Sequence, residues 1–192
     1  MKKVVCLLFV FVLLFSLSAC AGSKAEEERI TRVVTSMLTC PDEKLVALLK
    51  ENNIYSGDNP QPDPELLLKR QQAEEAYAEH LKTVFTTEDM TEDFQQRFCG
   101  NGYAGLTYPS VCAMEGIQIR VESVSVALVS EENRRYSFTA ELIITDKDGN
   151  ETPHTQEGKV QLSEDGRVSW VDSKPLMALS DVVVRIVNDM YS

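Results

Sequence analysis

Ile117-Gln118-Ile119-Arg120-Val121-Glu122-Ser123-Val124-Ser125-Val126-Ala127-Leu128 changes the parity of its apolar residues halfway along. Ile117, Ile119 and Val121 are apolar at odd positions, and Val124, Val126 and Leu128 at even ones. Successive side chains of a strand point to opposite faces, so one strand keeps both halves on the same core only by inserting an extra residue. A β-bulge is therefore expected near Glu122 and Ser123. Beyond it, Tyr136, Phe138, Ala140, Leu142 and Ile144 alternate with Ser137, Thr139 and Glu141, the pattern of a half-buried strand. Asp148-Gly149 and Asp165-Gly166 are turn pairs, the second joining Val160 and Leu162 to Val168 and Trp170. Together these segments predict a bent antiparallel sheet of about four strands.

Upstream the period is helical. Ile30, Val33, Val34, Met37 and Leu38 recur at helix spacing behind Glu26-Glu27-Glu28, whose charges suit the positive end of a helix. Thr39-Cys40-Pro41-Asp42-Glu43 interrupts the pattern, with Pro41 at a first-turn position of a second helix through Leu45, Val46, Leu48 and Leu49 that ends near Asn52-Asn53. Ser56 to Pro64 reads as a surface loop. Glu65 to Phe85 is the longest helical pattern, with Leu66, Ala73, Tyr77, Leu81, Val84 and Phe85 on one side. Thr86 or Thr87 caps a further helix with Met90, Phe94 and Phe98 inward. At the other end of the chain, Leu179, Val182, Val183, Ile186, Val187 and Met190 have helical spacing despite the β-branched Val182-Val183-Val184, which favours a carboxy-terminal helix.

Helices first and then an antiparallel meander define an α+β domain, with the amino-terminal helices packed on one face of the sheet. This element order over residues 25 to 172, with the turn segment Ser163-Glu164-Asp165-Gly166-Arg167-Val168, resembles the NTF2-like, cystatin-related fold. The resemblance implies a cone in which the sheet wraps around the helices. A carboxy-terminal helix after Pro175 departs from the usual ending of that fold at a strand.

The chain has 192 residues, 26% charged and 43% hydrophobic, with 19 Lys and Arg against 30 Asp and Glu, a net charge of −11. Met1-Lys2-Lys3 followed by twelve unbroken apolar residues, Val4 to Phe15, has the layout of a secretory signal. Leu17-Ser18-Ala19-Cys20, directly after that run, resembles the lipobox of bacterial lipoproteins. The resemblance implies cleavage by signal peptidase II between Ala19 and Cys20 and a diacylglyceryl group on the Cys20 sulfur, leaving open an N-acyl chain on its amine. Two acyl chains give stable membrane attachment at ~0.8 kcal/mol per buried CH₂. On this reading residues 1–19 are a signal peptide, 20–24 an acylated cysteine and short tether, and 25–192 a single extracytoplasmic domain. Loss of Lys2 and Lys3 leaves 17 basic against 30 acidic residues, a charge of −13 on 173 residues. That balance argues against nucleic acid as a partner, because phosphate binding needs a surplus of Lys and Arg.

Several patterns invite a chemical reading that their context does not support. Gly100-Asn101-Gly102-Tyr103-Ala104-Gly105 matches a dinucleotide fingerprint by letter. It follows a helical pattern where the fingerprint needs a strand, and runs into Leu106-Thr107-Tyr108-Pro109, so it reads as a loop. Cys99 and Cys112 bracket that loop. With Cys6 removed and Cys20 acylated, Cys40, Cys99 and Cys112 permit three alternative single bridges. Cys99 to Cys112 is the expected one, worth ~3 kcal/mol for a loop of this length. No Cys or His pair has close zinc-ligand spacing. Asp146-Lys147-Asp148-Gly149-Asn150 places its Gly fourth and reads as a hairpin turn rather than a calcium loop. The acid pairs Glu74-Glu75, Glu92-Asp93 and Glu131-Glu132 read as solvated faces.

Enzymes of the NTF2-like class carry acids, bases or His inside the cone, so the inward strand positions are the test for catalysis. Val124, Val126, Leu128, Tyr136, Phe138, Ala140, Leu142, Ile144, Val160, Leu162, Val168 and Trp170 include no Asp, Glu, His or Lys. His80 reads as a partly exposed structural residue on its helix, and His154 follows Pro153 in a turn. The expectation is a lipid-anchored, non-catalytic binding or protein-interaction module of the cell envelope, without catalytic residues, metal or cofactor beyond the lipid on Cys20. The alternative is a carrier of a small apolar ligand, or an enzyme, using the cone, with Tyr103, Tyr136 and Trp170 nearest the pocket. A third reading places an envelope-assembly or inhibitory role on an exposed sheet edge or on the 99–112 loop.

Overall fold

The computed structural model describes residues 24–51, 64–102 and 107–192. Helix α1 runs through 24–38 and is followed by α2 (Glu43–Glu51), α3 (Pro64–Val84), α4 (Glu92–Arg97), a π-helical turn (Phe98–Gly102) and α5 (Thr107–Glu115). Then come strands β1 (Gln118–Ser130), β2 (Arg135–Thr145), β3 (Glu151–Leu162) and β4 (Val168–Val171), and finally α6 (Ser173–Met190). The strands form one antiparallel meander in the order β1-β2-β3-β4. The fold is thus α+β, with helices, a four-stranded sheet and a carboxy-terminal helix.

The bulge lies where the parity change requires it. Val121 pairs with Leu142 and Ser123 with Glu141, which leaves Glu122 as the extra residue. Ile119 and Val121 before it, and Val124 and Val126 after it, consequently share the core face. Leu128 follows the same parity but is 53% exposed. The five alternating apolar residues of β2 are all buried. Phe138 pairs with Gly158, and its ring fills the space a β3 side chain would occupy: a Cβ on Gly158 would lie 2.4 Å from Phe138 Cζ.

β3 is longer than the sequence suggests, and Pro153 and His154 lie within it rather than in a turn. β4 pairs only with residues 160–162, so the first half of β3 is an edge, where a residue lacking N–H is tolerated. The actual β2–β3 turn is closed by the Asp146 carboxylate. It accepts from the amides of Asp148 and Asn150, both at 2.9 Å, and from the Asn150 side chain at 2.8 Å. A further irregularity, between Gln161 and Leu162, turns Val168 and Val171 inward and Trp170 outward.

Ile30, Val33, Val34, Met37 and Leu38 of α1 are all buried, as are Ala73, Tyr77, Leu81 and Phe85 at the expected spacing of α3. Val84, expected with them, is 38% exposed. Asp42 rather than Pro41 begins α2, and the fourth helix starts after Thr91, with Met90, Phe94 and Phe98 buried as expected. Helix α5 occupies a segment read as loop. Pro109 sits in its first turn, where no N–H is needed, and Tyr108 is fully buried, its hydroxyl donating to the Met37 carbonyl at 2.6 Å. The helical reading of the carboxy terminus is correct: Asp172 accepts from the Lys174 amide at the start of α6, and Leu176, Leu179 and Val183 are buried. Helices and inner sheet face thus share one continuous core. Among the described residues, no helix is long and apolar enough to cross a membrane.

Candidate functional site

The aromatic residues expected near a cone pocket do not converge. Tyr136 is buried, and its hydroxyl donates to Glu26 Oε2 while Arg134 holds Oε1 of the same carboxylate. Its polar tip is therefore engaged with α1, and burial raises its pKa above the usual phenol value. Trp170 lies on the outer face, 40% exposed, with the Arg135 guanidinium 5.7 Å from its ring centroid. The bulge between Gln161 and Leu162 is the reason: it reverses the parity of β4, which alternation alone does not reveal. Tyr103 lies outside the described residues, as do Ala19 and Cys20.

The inner face of the sheet carries polar side chains that the alternation of β2 does not announce. Gln156, paired with Ala140 in the first half of β3, is buried, and its amide nitrogen donates to the Glu157 carbonyl at 2.8 Å. His154, opposite Leu142, and Thr152, opposite Ile144, lie on the same face nearer the β2–β3 turn, His154 half-buried and Thr152 exposed; the other inward residues of β2, β3 and β4 are apolar or glycine.

Ionisable groups meet instead at the junction of α2 and α3. Asp42 Oδ1 accepts from the amides of Lys44 and Leu45, at 2.8 and 3.1 Å, which caps α2. Its Oδ2 is 2.9 Å from His80 Nε2 on α3. Tyr77, one turn earlier, stacks on the His80 ring at 6.3 Å between centroids. Its hydroxyl is buried without a hydrogen-bond partner among the described residues. Burial is the main cause that pushes the Tyr77 phenol far up, with the charges of Asp42, Cys40 and Cys99 acting in the same direction. An adjacent pocket of about 230 Å³ is lined by Ser36, Thr39, Asp42, Leu81 and Phe85, among others. The Thr39 hydroxyl is already committed to the Thr35 carbonyl at 2.8 Å. Among the described residues, no hydroxyl or thiol is hydrogen-bonded to the His80 ring, so the Asp42–His80 pair is not part of a nucleophile-base-orienter set. It fastens the start of α2 to α3. With its members 38 positions apart in sequence, only the periodicity of α3 hints that His80 lies beside the buried stripe.

Cys99 and Cys112 are both fully buried thiols and are not joined to each other, which corrects the expected bridge. The physical reason is helical structure where a loop was expected. Cys99 lies in the π-helical turn and Cys112 in α5, each packed into the core. Burial pushes the Cys99 thiol up to about 11. Cys40 is buried nearby, and its backbone exchanges hydrogen bonds of 3.0 and 2.8 Å with Ile119.

That exchange is the one backbone contact outside β2 that β1 makes among the described residues, so the outer edge of β1 beyond Ile119 is open. Ser123-Val124-Ser125-Val126-Ala127-Leu128-Val129-Ser130 runs along this edge without a charge, and Leu128 and Val129 are 53% and 55% exposed. No family model, no curated protein and no solved structure matches the chain.

Proposed function

We propose that this chain is a bacterial lipoprotein of the cell envelope, held at the extracytoplasmic face of the cell membrane by lipid on Cys20. Its NTF2-like α+β domain acts as a non-catalytic binding or protein-interaction module. The leader ending in Leu17-Ser18-Ala19-Cys20 supports the anchor. One observation carries the reading of the domain: the buried inward strand side chains are apolar except Gln156, which spends its amide on a backbone carbonyl. General acid–base chemistry needs an ionisable group placed against a substrate, and the one this face carries among the described residues, His154, is half-buried near the β2–β3 turn, away from the buried centre of the sheet. The ionisable pair that the fold does assemble, Asp42 and His80, is committed to capping and to joining two helices. Sheet edges and outer surface then remain for recognition of another protein.

The anchor is tested by Cys20→Ala in the producing cell. The protein should shift from the membrane to the soluble fraction, or accumulate as unprocessed precursor; unchanged size with unchanged membrane retention overturns the lipobox reading. Crosslinking in intact cells should recover protein partners, and tight retention of a small apolar molecule by the purified domain would instead favour a carrier.

A further inference from the structure

We infer that the open edge of β1 pairs with the same edge of a second copy of this chain, joining two sheets antiparallel across a two-fold axis at Val126. This rests on the reading of the domain as an interaction module and names its surface and partner; it does not depend on the lipid.

Edge strands of folded proteins are usually blunted by charge, Pro or irregularity. Here the irregularities bracket the stretch, at Val121/Ser123 and Leu128/Ser130, and leave a regular run from Ser123 to Leu128 between them. That run holds no charge, Pro or Gly. Its inward side chains Val124 and Val126 are only half-buried and Leu128 is exposed, because this part of the sheet is an edge. The segment thus has unsatisfied backbone groups along one side and uncovered apolar groups on the core side, and an added strand satisfies both.

Self-pairing fits because of register. Residues opposite each other in an antiparallel pair share a sheet face, so the numbers of paired residues must sum to an even value. An axis through Val126 sets Val124 against the partner's Leu128, Val126 against the partner's Val126, and Ser125 against the partner's Ala127. Moving the axis to Ser125 sets Leu128 against the bulge at the partner's Glu122, and moving it to Ala127 sets Val124 against the partner's Ser130. Only the central register sets Val124, Val126 and Leu128 all against apolar residues of the partner.

The test uses the full chain, purified from membranes in mild detergent, with mass measured by sedimentation and light scattering over a concentration series. The chain should show twice the monomer mass at high concentration. Val126→Lys and Ser125→Lys should each be monomeric with an unchanged circular dichroism spectrum, while Met177→Lys, on an exposed position of α6, should remain dimeric. Should Val126→Lys fail to fold, Ser125→Lys decides, since Ser125 is exposed. In membranes, Val126→Cys treated with a short bismaleimide should give covalent dimer several-fold above both the unmodified chain and Glu157→Cys, on the outer face of β3. A wild-type monomer throughout, or lysine variants that stay dimeric, overturns the inference. So does a Val126→Cys crosslink to a different protein, an outcome that would leave the interaction reading standing with another occupant at this edge.

Discussion

Phe138 lies against Gly158 across the β2–β3 pair so closely that the smallest added side chain meets its ring. Gly158→Ala should therefore lower stability by ~1–3 kcal/mol through overpacking, and Phe138→Leu in the same chain should recover part of the loss. Urea unfolding of the two single variants and the double variant measures this directly. A second expectation concerns alkaline pH. The Cys99 thiol rises from its ordinary value of 9.0 to about 11 through burial, and the Tyr77 phenol rises as well. A group whose pKa is raised on folding contributes stability that is complete below its unfolded value and lost as the pH climbs through its folded value. Stability should accordingly be flat up to about pH 9 and decline between 9 and 11, as the unfolded chain releases protons that the folded chain retains. A stability profile level across that window would contradict this. Both effects originate in side chains whose neighbours are distant in sequence, which is why neither was visible before the fold was known.

Among the elements, α2 depends most on one residue. Asp42 accepts two amide hydrogens at its start and holds His80 of α3 with the remaining oxygen. Asp42→Ala should cost ~1–2 kcal/mol and Asp42→Asn less, because the amide oxygen still caps the helix; thermal unfolding of the two variants distinguishes them. Legibility also differed from element to element for physical reasons. β1 betrayed its bulge because apolar residues changed parity on either side of Glu122. β4 hides its own because Val168, Trp170 and Val171 are apolar at both parities, so alternation points Trp170 to the wrong face. α5 was obscured by the glycines before it and by Pro109, a residue as much at home in a first helical turn as in a loop. Helical periodicity survived the β-branched run in α6 because Leu176, Leu179 and Val183 bury a full stripe, and packing outweighs the small propensity penalty. Of the candidate site, the apolar inner face was readable from alternation, whereas the Asp42–His80 contact and the buried Gln156 required the fold itself.

At the level of the whole molecule, the beginning of α1 is tied to both tight turns at one end of the sheet. Glu26 receives Arg134 and Tyr136, while Arg134, at a left-handed φ of 45°, also donates to the Glu164 carbonyl at 3.0 Å. Arg29 donates to the carbonyl of Gly166 at 2.7 Å, and Arg32 meets Asp89 at 2.6 Å. Glu26→Ala removes the acceptor shared by two partners and should destabilise the domain by ~1–3 kcal/mol, read as a lower urea midpoint. An unchanged urea midpoint would show that the cluster is ornamental to the fold. The same arrangement has a mechanical consequence. A pull along the chain ahead of Lys24 enters α1 within one turn of Glu26, and the load passes at once into the 131–134 and 163–167 turns instead of unwinding the helix from its end. The domain should resist traction from its amino-terminal side as one body, yielding only when that clamp ruptures.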